Sequence, residues 1–502
     1  MLAAGYAPAL RGDASSRMDR RPNILLVMSD QHNPHLVGCE GDAVVRTPRI
    51  DALAERGVRF ASSYCPSPLC VPSRMSFLTS RYPSDQRVWS NSCVLDSSIP
   101  TFAHGLSIAG YETVLCGRMH FIGYDQRHGF EQRLVGDLSP QHPGTPGPKL
   151  LPSLHGSTSQ TRPAATISGP GRTEYQVFDE TVTDAACEFL RTRTDGRPLC
   201  MVVGFVLPHC PFVCPKHLYQ EYYDKVRLPS VPDEHFDDVH PFVRDYRRLR
   251  QIEDLTDEQV RSARAAYYGL ITIVDTLVGQ ILDALAESAL RDNTVVIYTS
   301  DHGDMAGEHG MWWKSNFYEG ASRVPLIVSW RGHFAEGRTV RQVSNLLDVG
   351  PTLLELAGAE PLPSVRGRSL VRFLRPGKVD TTDWPDETFA EHYSGKSEPP
   401  SRMIRSGPWK LVHYHGYEAA QLFNLDDDPD ELNDFGRDPQ VAGIRSRLRD
   451  KVVDAWDPEL IEREVAQRFE DVRILRQWGR AVQPECPDRW QAPPGANVFP
   501  DE

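Results

Sequence analysis

Several uninterrupted apolar runs, each followed at once by polar side chains, constrain the fold of this 502-residue chain more than any other feature. The clearest runs occupy residues 23–28, 199–207 and 294–298, and residues 111–116, which include Glu112 and Thr113, predict a further strand. A strand without polar alternation is typical of a parallel sheet that is covered on both faces. Apolar residues at three- and four-residue spacing, clearest after Thr256, indicate the covering helices. The sequence therefore predicts an α/β fold built around a mostly parallel sheet.

Length and local character divide the chain into four predicted parts. A chain of 502 residues exceeds the size at which a single core stops growing, so we expect two domains. Beyond about residue 380, short strand-like runs and a turn rich in Asp predict a small α+β domain with an antiparallel sheet. The predicted parts are a disordered leader at 1–20, a catalytic α/β domain at 21–380, the α+β domain at 381–480 and a Pro-rich tail at 481–502, either extended or docked on a partner subunit.

Composition narrows the class of protein. A net charge of −13 argues against non-specific nucleic-acid binding and offers no basic patch for a membrane surface. No run approaches the roughly 18 apolar residues that a membrane-spanning helix needs. The ten cysteines lack the spacing of a disulfide framework, so we expect reduced thiols in a cytoplasmic protein.

Polar side chains follow the ends of at least four predicted strands. They are Asp30 and Gln31, Arg118 and His120, His209, and Asp301 and His302. Because the carboxyl ends of parallel strands meet at one edge of a sheet, we expect these groups to form one pocket. Two carboxylates, an amide oxygen and a single imidazole suit a hard divalent cation such as Ca²⁺ or Mg²⁺. Taken singly, each residue also has a plain structural explanation, such as Asp30 capping a turn.

The segment Cys70-Val-Pro-Ser-Arg74 predicts a second part of the same pocket. Pro72 suits the first position of a helix that begins just after Cys70. Cys70 would then lie at a helix N-terminus, which favours anions, and Arg74 would point back towards it from one turn further on. This arrangement suits a sulfate or phosphate group. The alternative is a buried cysteine and a surface arginine.

Several motifs in the right order resemble those of the formylglycine-dependent, or type I, sulfatases of the alkaline-phosphatase superfamily. They are the C-x-P-S-R modification signature at 70–74, a second signature at 110–120, a third at 300–304 followed by Lys314, and a recurring ending at 429–433. Residues 99–106 and 117–130 look most like the choline-sulfatase and arylsulfatase branch. The resemblance implies a large mixed, mostly parallel sheet between helices, and hydrolysis of an organic sulfate monoester to an alcohol and inorganic sulfate.

The resemblance also implies a role for each candidate residue. Cys70 would be oxidised to formylglycine by a formylglycine-generating enzyme or an equivalent maturase, and its hydrated aldehyde would attack sulfur. One divalent cation, Ca²⁺ in the first place with Mg²⁺ and Mn²⁺ as alternatives, would be held by Asp30, Gln31, Asp301, His302 and the modified Cys70. In the remaining roles, Arg74, Arg118 and Lys314 fix the diol and the sulfuryl oxygens, His120 is the base for the diol, His209 is the acid for the departing alcohol, and Asn91 contacts a sulfate oxygen.

The chain departs from the family pattern at two positions. Arg118 stands where the family usually has Lys, which keeps the charge but presents a planar fork instead of a point. Thr79-Ser80 replaces the family's Thr-Gly.

A choline substrate would need an aromatic or acidic cage for its quaternary ammonium. The stretch 131–174, which predicts a long and partly mobile surface insertion, contains no Phe, Trp or Tyr. Trp312, Trp313, Tyr393 and Trp490 remain as candidate rings.

Three functions stay open at this point. The first is a sulfatase acting on a small-molecule sulfate ester. The second is a phosphonate or phosphate monoester hydrolase with the same site, since these esters share their shape with sulfate esters. The third is a metal-dependent binding protein in which Cys70 remains a thiol. The Pro-rich tail leaves a homo-oligomer open.

Overall fold

The computed structural model describes residues 21–139, 141–143, 157–229, 231, 233–395 and 397–499. The predicted leader at 1–20 lies outside the described residues. Within them the strands are β1 (Asn23–Asp30), β2 (Val58–Phe60), β3 (Ser63–Tyr64), β4 (Glu112–Gly117), β5 (Gln132–Arg133), β6 (Gly169–Pro170), β7 (Leu199–Pro208), β8 (Val213–Cys214), β9 (Thr294–Ser300), β10 (Leu326–Ser329), β11 (Arg338–Val340), β12 (Ser344–Asn345), β13 (Glu387–His392), β14 (Ser401–Ser406), β15 (Trp409–Tyr414) and β16 (Gln421–Asn424).

The helices surround the sheets formed by these strands. They are α1 (Pro48–Glu55), α2 (Cys70–Thr79), α3 (Pro83–Gln86), α4 (Phe102–Ile108), α5 (Arg162–Thr166), α6 (Glu174–Thr192), α7 (Lys216–Tyr223), α8 (Pro241–Leu249), α9 (Asp257–Glu287), α10 (Glu319–Ser322), α11 (Val349–Ala357), α12 (Val371–Leu374), α13 (Ala442–Val453) and α14 (Pro458–Val482). Short 3₁₀ turns join several of them.

An eight-stranded mixed sheet forms the centre of the catalytic region, in the order β11-β2-β10-β9-β1-β7-β4-β5. β1 pairs in parallel with both β7 and β9, whereas β10 runs antiparallel to β9. Leu25 and Val27 pack into one core with α6 and α9, and Ile24 and Leu26 pack into a second core with α4 and α11. Because alternate residues of β1 enter different cores, the strand is apolar throughout. The predicted fold class is confirmed.

The longest helix, α9, packs its apolar residues against the sheet. The Thr256 hydroxyl accepts from the backbone N–H of Gln259 at 3.3 Å, and the Gln259 side chain accepts from Thr256 N–H, which closes a capping box. By length and composition alone α9 is apolar enough to cross a membrane, which corrects the expectation that no stretch comes near that requirement. Within the most apolar 18-residue window of α9, 67% is buried inside the protein. The apolar side chains of this helix therefore pack against the rest of the chain.

The C-terminal part holds a four-stranded antiparallel sheet in the order β13-β14-β15-β16, with α13 packed on it. The antiparallel sheet predicted beyond residue 380 is present, whereas the 25-residue helix α14 is not among the predicted elements. The tail beyond α14 lies against the chain's own catalytic region, where Val498 pairs with Arg172. Contact of the tail with a partner subunit stays a prediction, and so do the domain boundaries.

The segment interpreted as a partly mobile surface insertion is only partly exposed where the structure describes it. Ala164 and Ala165 of α5 are buried, and so are Asp137 and Ser139. Exposed residues occur as well, among them Glu131, Gln132 and Arg172, while residues 140 and 144–156 lie outside the described residues. The absence of aromatic residues at 131–174 therefore does not mark the whole stretch as exposed.

A buried charge cluster joins the C-terminal sheet to the catalytic region. The Lys410 ammonium of β15 donates to Glu319 Oε1 at 3.0 Å and to the Phe317 carbonyl at 2.7 Å, and it also pairs with the Glu431 carboxylate. Burial raises the pKa of Glu431 to about 7, and Lys410 only partly opposes this rise. Burial also acts to raise the pKa of Glu319, but Lys410 and Arg323 together lower it to about 2.

We predict that Lys410→Met lowers the free energy of unfolding by about 3–5 kcal/mol, because it leaves buried carboxylates without their cation. The matched control is Lys451→Met, which removes a half-exposed ammonium paired with Glu387 and should cost less than about 1 kcal/mol. Urea unfolding followed by circular dichroism measures both values. Equal destabilisation by the two variants would show that the buried cluster adds nothing beyond a surface pair.

Candidate active site

Strand ends and one helix start meet in a buried pocket, as the sequence predicted. Potential ligand atoms of Asp30, Cys70, Asp301 and His302 all lie within 4.8 Å of one another. Cys70 Sγ is 3.2 Å from His302 Nε2 and 3.6 Å from Asp30 Oδ1. All four side chains are buried, so the pocket concentrates its charge away from bulk water.

This donor set fits a hard divalent cation. His302 Nδ1 lies 2.9 Å from the Gly303 carbonyl oxygen, and an N–H at that nitrogen would leave Nε2 as the lone-pair donor that faces Cys70. Asp30 and Asp301 supply carboxylate oxygens, which Ca²⁺ and Mg²⁺ prefer. A single imidazole and a single cysteine in the group differ from a Cys-rich structural zinc site.

Gln31 adopts a left-handed backbone conformation, with φ of 71°, directly beside these ligands. Its backbone N–H donates to Asp301 Oδ1 at 3.1 Å, and its side-chain Nε2 donates to Asp304 Oδ2 at 2.5 Å. Its amide oxygen accepts from the Lys314 ammonium. Gln31 thus lies in the pocket, and its role as a metal ligand stays a prediction.

Arg74 is fully buried and binds the two carboxylates of the donor set. Its Nε donates to Asp301 Oδ2 at 2.7 Å and its Nη2 to Asp30 Oδ2 at 3.2 Å. Further donations reach the backbone carbonyls of Arg118, Ser29 and Phe205. α2 begins at Cys70 itself, and Arg74 is engaged with carboxylates and carbonyls of the strand ends. The alternative of a surface arginine is excluded.

The charge of Asp30 is set by its neighbours. Burial alone would raise the pKa of this carboxyl, but the guanidinium groups of Arg118 and Arg74 outweigh it and hold the pKa well below its usual range. Arg118 Nε donates to Asp30 Oδ2 at 2.7 Å. Asp30 therefore stays a carboxylate, the form that binds a cation.

Arg118 connects Asp30 to residues that the sequence analysis missed. Its Nη1 donates to Ser139 Oγ at 3.0 Å and to Asp137 Oδ1 at 3.4 Å, and its Nη2 lies 2.9 Å from His120 Nδ1. Asp137 and Ser139 belong to the stretch interpreted as an insertion. Their one sequence signal is an Asp-x-Ser spacing, which predicts a turn as readily as a site. The sulfuryl-binding role of Arg118 stays a prediction.

His209 and Lys314 form a buried pair in the same site. Lys314 Nζ lies 2.7 Å from His209 Nε2, and His209 Nδ1 lies 2.7 Å from the Cys210 carbonyl oxygen. Burial and then the Lys314 charge lower the pKa of His209. Burial also acts to lower the pKa of Lys314, but Cys70 and Asp30 outweigh it and the net pKa is raised. Lys314 is thus the charged member of the pair.

Asn91 reaches the start of α2 from a neighbouring loop. Its side-chain Oδ1 accepts the Val71 backbone N–H at 3.0 Å, so it satisfies one of the free donors of the first turn. The contact of Asn91 with a sulfate oxygen stays a prediction.

At the other end of α2, Ser80 has φ of 54°. Serine here adopts the left-handed conformation that glycine takes more easily, and it ends α2 in that conformation.

Of the aromatic rings considered for a quaternary ammonium, Trp312, Trp313 and Trp490 belong to the main core, whereas Tyr393 lies in a separate packing group. Trp312 contacts Phe212 with ring centres 5.5 Å apart, and Trp490 contacts Phe178 at 5.3 Å. Tyr393 packs instead with Trp89 and Trp456. Trp313 is fully buried in the core. These four rings therefore do not form one cage.

We predict that Asp301→Asn abolishes tight binding of a divalent cation, because the variant removes one of the two carboxylates of the donor set. Isothermal titration of metal-free protein with Ca²⁺, and separately with Mg²⁺ and Mn²⁺, measures the effect. Asp383→Asn is the control, since that carboxylate is 73% exposed and pairs with Arg372 at the surface. Unchanged metal affinity in Asp301→Asn would place the cation elsewhere.

Comparisons with known proteins agree with this geometry. The chain matches the sulfatase family over residues 22–359, and residues 307–457 match the family described as N-sulphoglucosamine sulphohydrolase, C-terminal. It is 37% identical over 475 residues to a choline-sulfatase of Rhizobium meliloti (strain 1021), covering 89% of each protein.

Solved structures share the same architecture. The phosphonate monoester hydrolase of Agrobacterium radiobacter has a TM-score of 0.70 at 25% identity, covering 91% of this chain and 96% of that chain. A protein solved in complex with its substrate D-glucosamine-2-N,6-O-disulfate has a TM-score of 0.71 at 23% identity, covering 90% and 99%, and supports the fold alone. With the family match and the 37% identity to a choline-sulfatase, the chain belongs to the type I sulfatases of the alkaline-phosphatase superfamily and is a sulfuric ester hydrolase.

Proposed function

We propose that the protein hydrolyses a small organic sulfate monoester, using a formylglycine made from Cys70 and one divalent cation, with Ca²⁺ the first candidate. One observation carries the proposal. Cys70, the first residue of the modification signature, lies at the start of α2, in contact with His302 and Asp30 of a buried donor set. A nucleophile made at this position would be adjacent to both the cation and the positive helix end.

The two groups that the chain must acquire supply the nucleophile and the Lewis acid. Formylglycine, once hydrated, would provide a hydroxyl that attacks sulfur, and the cation would lower the pKa of that hydroxyl and offset sulfate charge. Asp30, Gln31, Asp301 and His302 would hold the cation. Arg74 orients Asp30 and Asp301 through its paired hydrogen bonds.

The cationic side chains bind the substrate's sulfuryl group. Arg118 and Lys314 are both buried, so their charges act with little screening by water. Asn91, already bound to the first turn of α2, contacts a sulfate oxygen through its amide group. These contacts strengthen as negative charge accumulates on the sulfuryl oxygens.

Two histidines, His209 and His120, transfer the protons in this proposal. His209 is the acid for the departing alcohol. Because Lys314 donates to its Nε2 and its Nδ1 faces the Cys210 carbonyl, the proton that Nε2 passes to the alkoxide would be supplied by the Lys314 ammonium. His120, whose Nδ1 faces Arg118, accepts the proton from the hydroxyl that expels sulfate. A well-placed general acid or base of this kind contributes roughly 10²–10⁴-fold to the rate.

Maturation requires a partner enzyme in this proposal. Cys70 is 1% exposed in the folded protein, so a maturase would have to reach this segment before the pocket closes. We propose cytoplasmic maturation and function. The ten free cysteines are compatible with that reducing compartment.

Choline sulfate is the first substrate to test, because the relative with 37% identity is named a choline-sulfatase. A phosphonate or phosphate monoester is the second candidate, since the similar Agrobacterium radiobacter structure is a phosphonate monoester hydrolase. Both ester classes present a tetrahedral anion to the same cations. The alcohol part of the substrate is then selected outside the sulfuryl pocket.

We predict a higher kcat/KM for sulfate esters than for phosphonate esters. Steady-state kinetics with choline sulfate, an aryl sulfate and the matching aryl phosphonate measure this ratio.

Cys70→Ala should lower kcat/KM by at least about 10³-fold, because it removes the source of the nucleophile. Cys39→Ala is the control, since that thiol is half-buried and outside the pocket. A preference for the phosphonate, or an active Cys70→Ala protein, would overturn the proposal.

A further inference from the structure

We infer that Asp137 is a positioning residue of this active site, which holds Arg118 and the backbone of His120 in place and is itself held by the C-terminal tail. The inference rests on the proposed contact between Arg118 and the sulfuryl oxygens. It adds a residue outside the family motifs to the machinery of the reaction.

The Asp137 carboxylate binds three consecutive residues at the end of β4. It is 2% exposed. Its Oδ1 accepts from Arg118 Nη1 at 3.4 Å, and its Oδ2 accepts the backbone N–H of Met119 at 3.2 Å and of His120 at 2.7 Å. Asp137 thus fixes a guanidinium and two peptide units at once.

The backbone at His120 needs such a partner. His120 has φ of 60°, in the left-handed region that non-glycine residues rarely adopt. Its N–H bond to Asp137 holds this conformation and directs the imidazole towards Arg118, where Nδ1 lies 2.9 Å from Nη2. The positions of the proposed base and the proposed sulfuryl-binding cation therefore share one support.

The inference also explains why arginine is tolerated where the family usually has lysine. A lysine ammonium is a point charge that can be held by one carboxylate, whereas a guanidinium has a plane that must be oriented. Asp30 binds Arg118 at Nε, while Asp137 and Ser139 bind it at Nη1. These contacts on different nitrogens fix the plane of the fork. Asp137 supplies the anchor that the arginine requires and a lysine does not.

The tail after α14 covers the loop that carries Asp137. The backbone N–H of Trp490 donates to the Asp137 carbonyl at 3.0 Å, and Arg489 Nε donates to the Leu138 carbonyl at 3.1 Å. At Gly136, an added Cβ would lie 1.4 Å from the Asp488 carbonyl oxygen, so only glycine fits under the tail. The tail and the loop are therefore packed backbone to backbone, which leaves Asp137 little freedom to move.

The test is a double-mutant cycle between Asp137→Asn and Arg118→Lys in the matured, metal-loaded enzyme. Asn keeps the shape of Asp but loses its charge and one acceptor oxygen. In the Arg118 background, Asp137→Asn should weaken the binding of inorganic sulfate and raise KM for a sulfate ester by about tenfold or more, as loss of a charged hydrogen bond predicts. In the Arg118→Lys background the same change should have a much smaller effect, because no guanidinium remains to be oriented.

Calorimetric titration with inorganic sulfate gives the binding constants, and thermal unfolding checks that every variant is folded at the assay temperature. Asp195→Asn is the matched control, because Asp195 binds the backbone N–H and guanidinium of Arg197 in the same way, at the surface. An equal loss of sulfate affinity in both backgrounds, no loss beyond the control, or a wild-type protein that binds no sulfate would overturn the inference. Sulfate binding with the expected coupling but no ester hydrolysis would count against the proposed function alone.

Discussion

The paired burial of Asp30 and Asp301 against Arg74 is the interaction on which the site depends. β1 and β9 pair in parallel with Ser29 opposite Ser300, so the next residue of each strand brings a carboxylate to the same sheet edge. Burying a carboxylate costs several kcal/mol unless it is paired. Arg74 donates to both. The sheet register and a single guanidinium therefore bring together the candidate cation site, with Cys70 one helical turn away on α2.

Support for this centre comes from regions remote in sequence. The C-terminal sheet is tied to α10 through Lys410 and Glu319, and the tail rests on the loop of Asp137. The Tyr246 hydroxyl of α8 donates to the Lys314 carbonyl at 2.7 Å. The loop that carries the Lys314 ammonium is therefore also held by a helix outside the sheet. The family motifs carry the proposed reacting groups, while the surrounding elements hold those groups in position.

The sequence predicts the parts of the site that follow directly from strands. Asp30, His209 and Asp301 were recognisable because each closes or follows an apolar run, and parallel pairing brings such ends together. Asp137 was not, because its position depends on the tail some 350 residues later in the chain and on no local periodicity. α14 was missed for a related reason: only 4 of its 25 residues are buried, so its apolar pattern is weak.

We propose that the residue at position 70 works as a hydrated aldehyde, held beside a divalent cation by α2 and Arg74. A mass spectrum of the proteolytic peptide containing position 70, taken from protein made with an active maturase and showing sulfate-ester hydrolysis, tests this mechanism. The active fraction should show the mass of formylglycine in place of cysteine. An unmodified Cys70 thiol in fully active protein would rule the mechanism out.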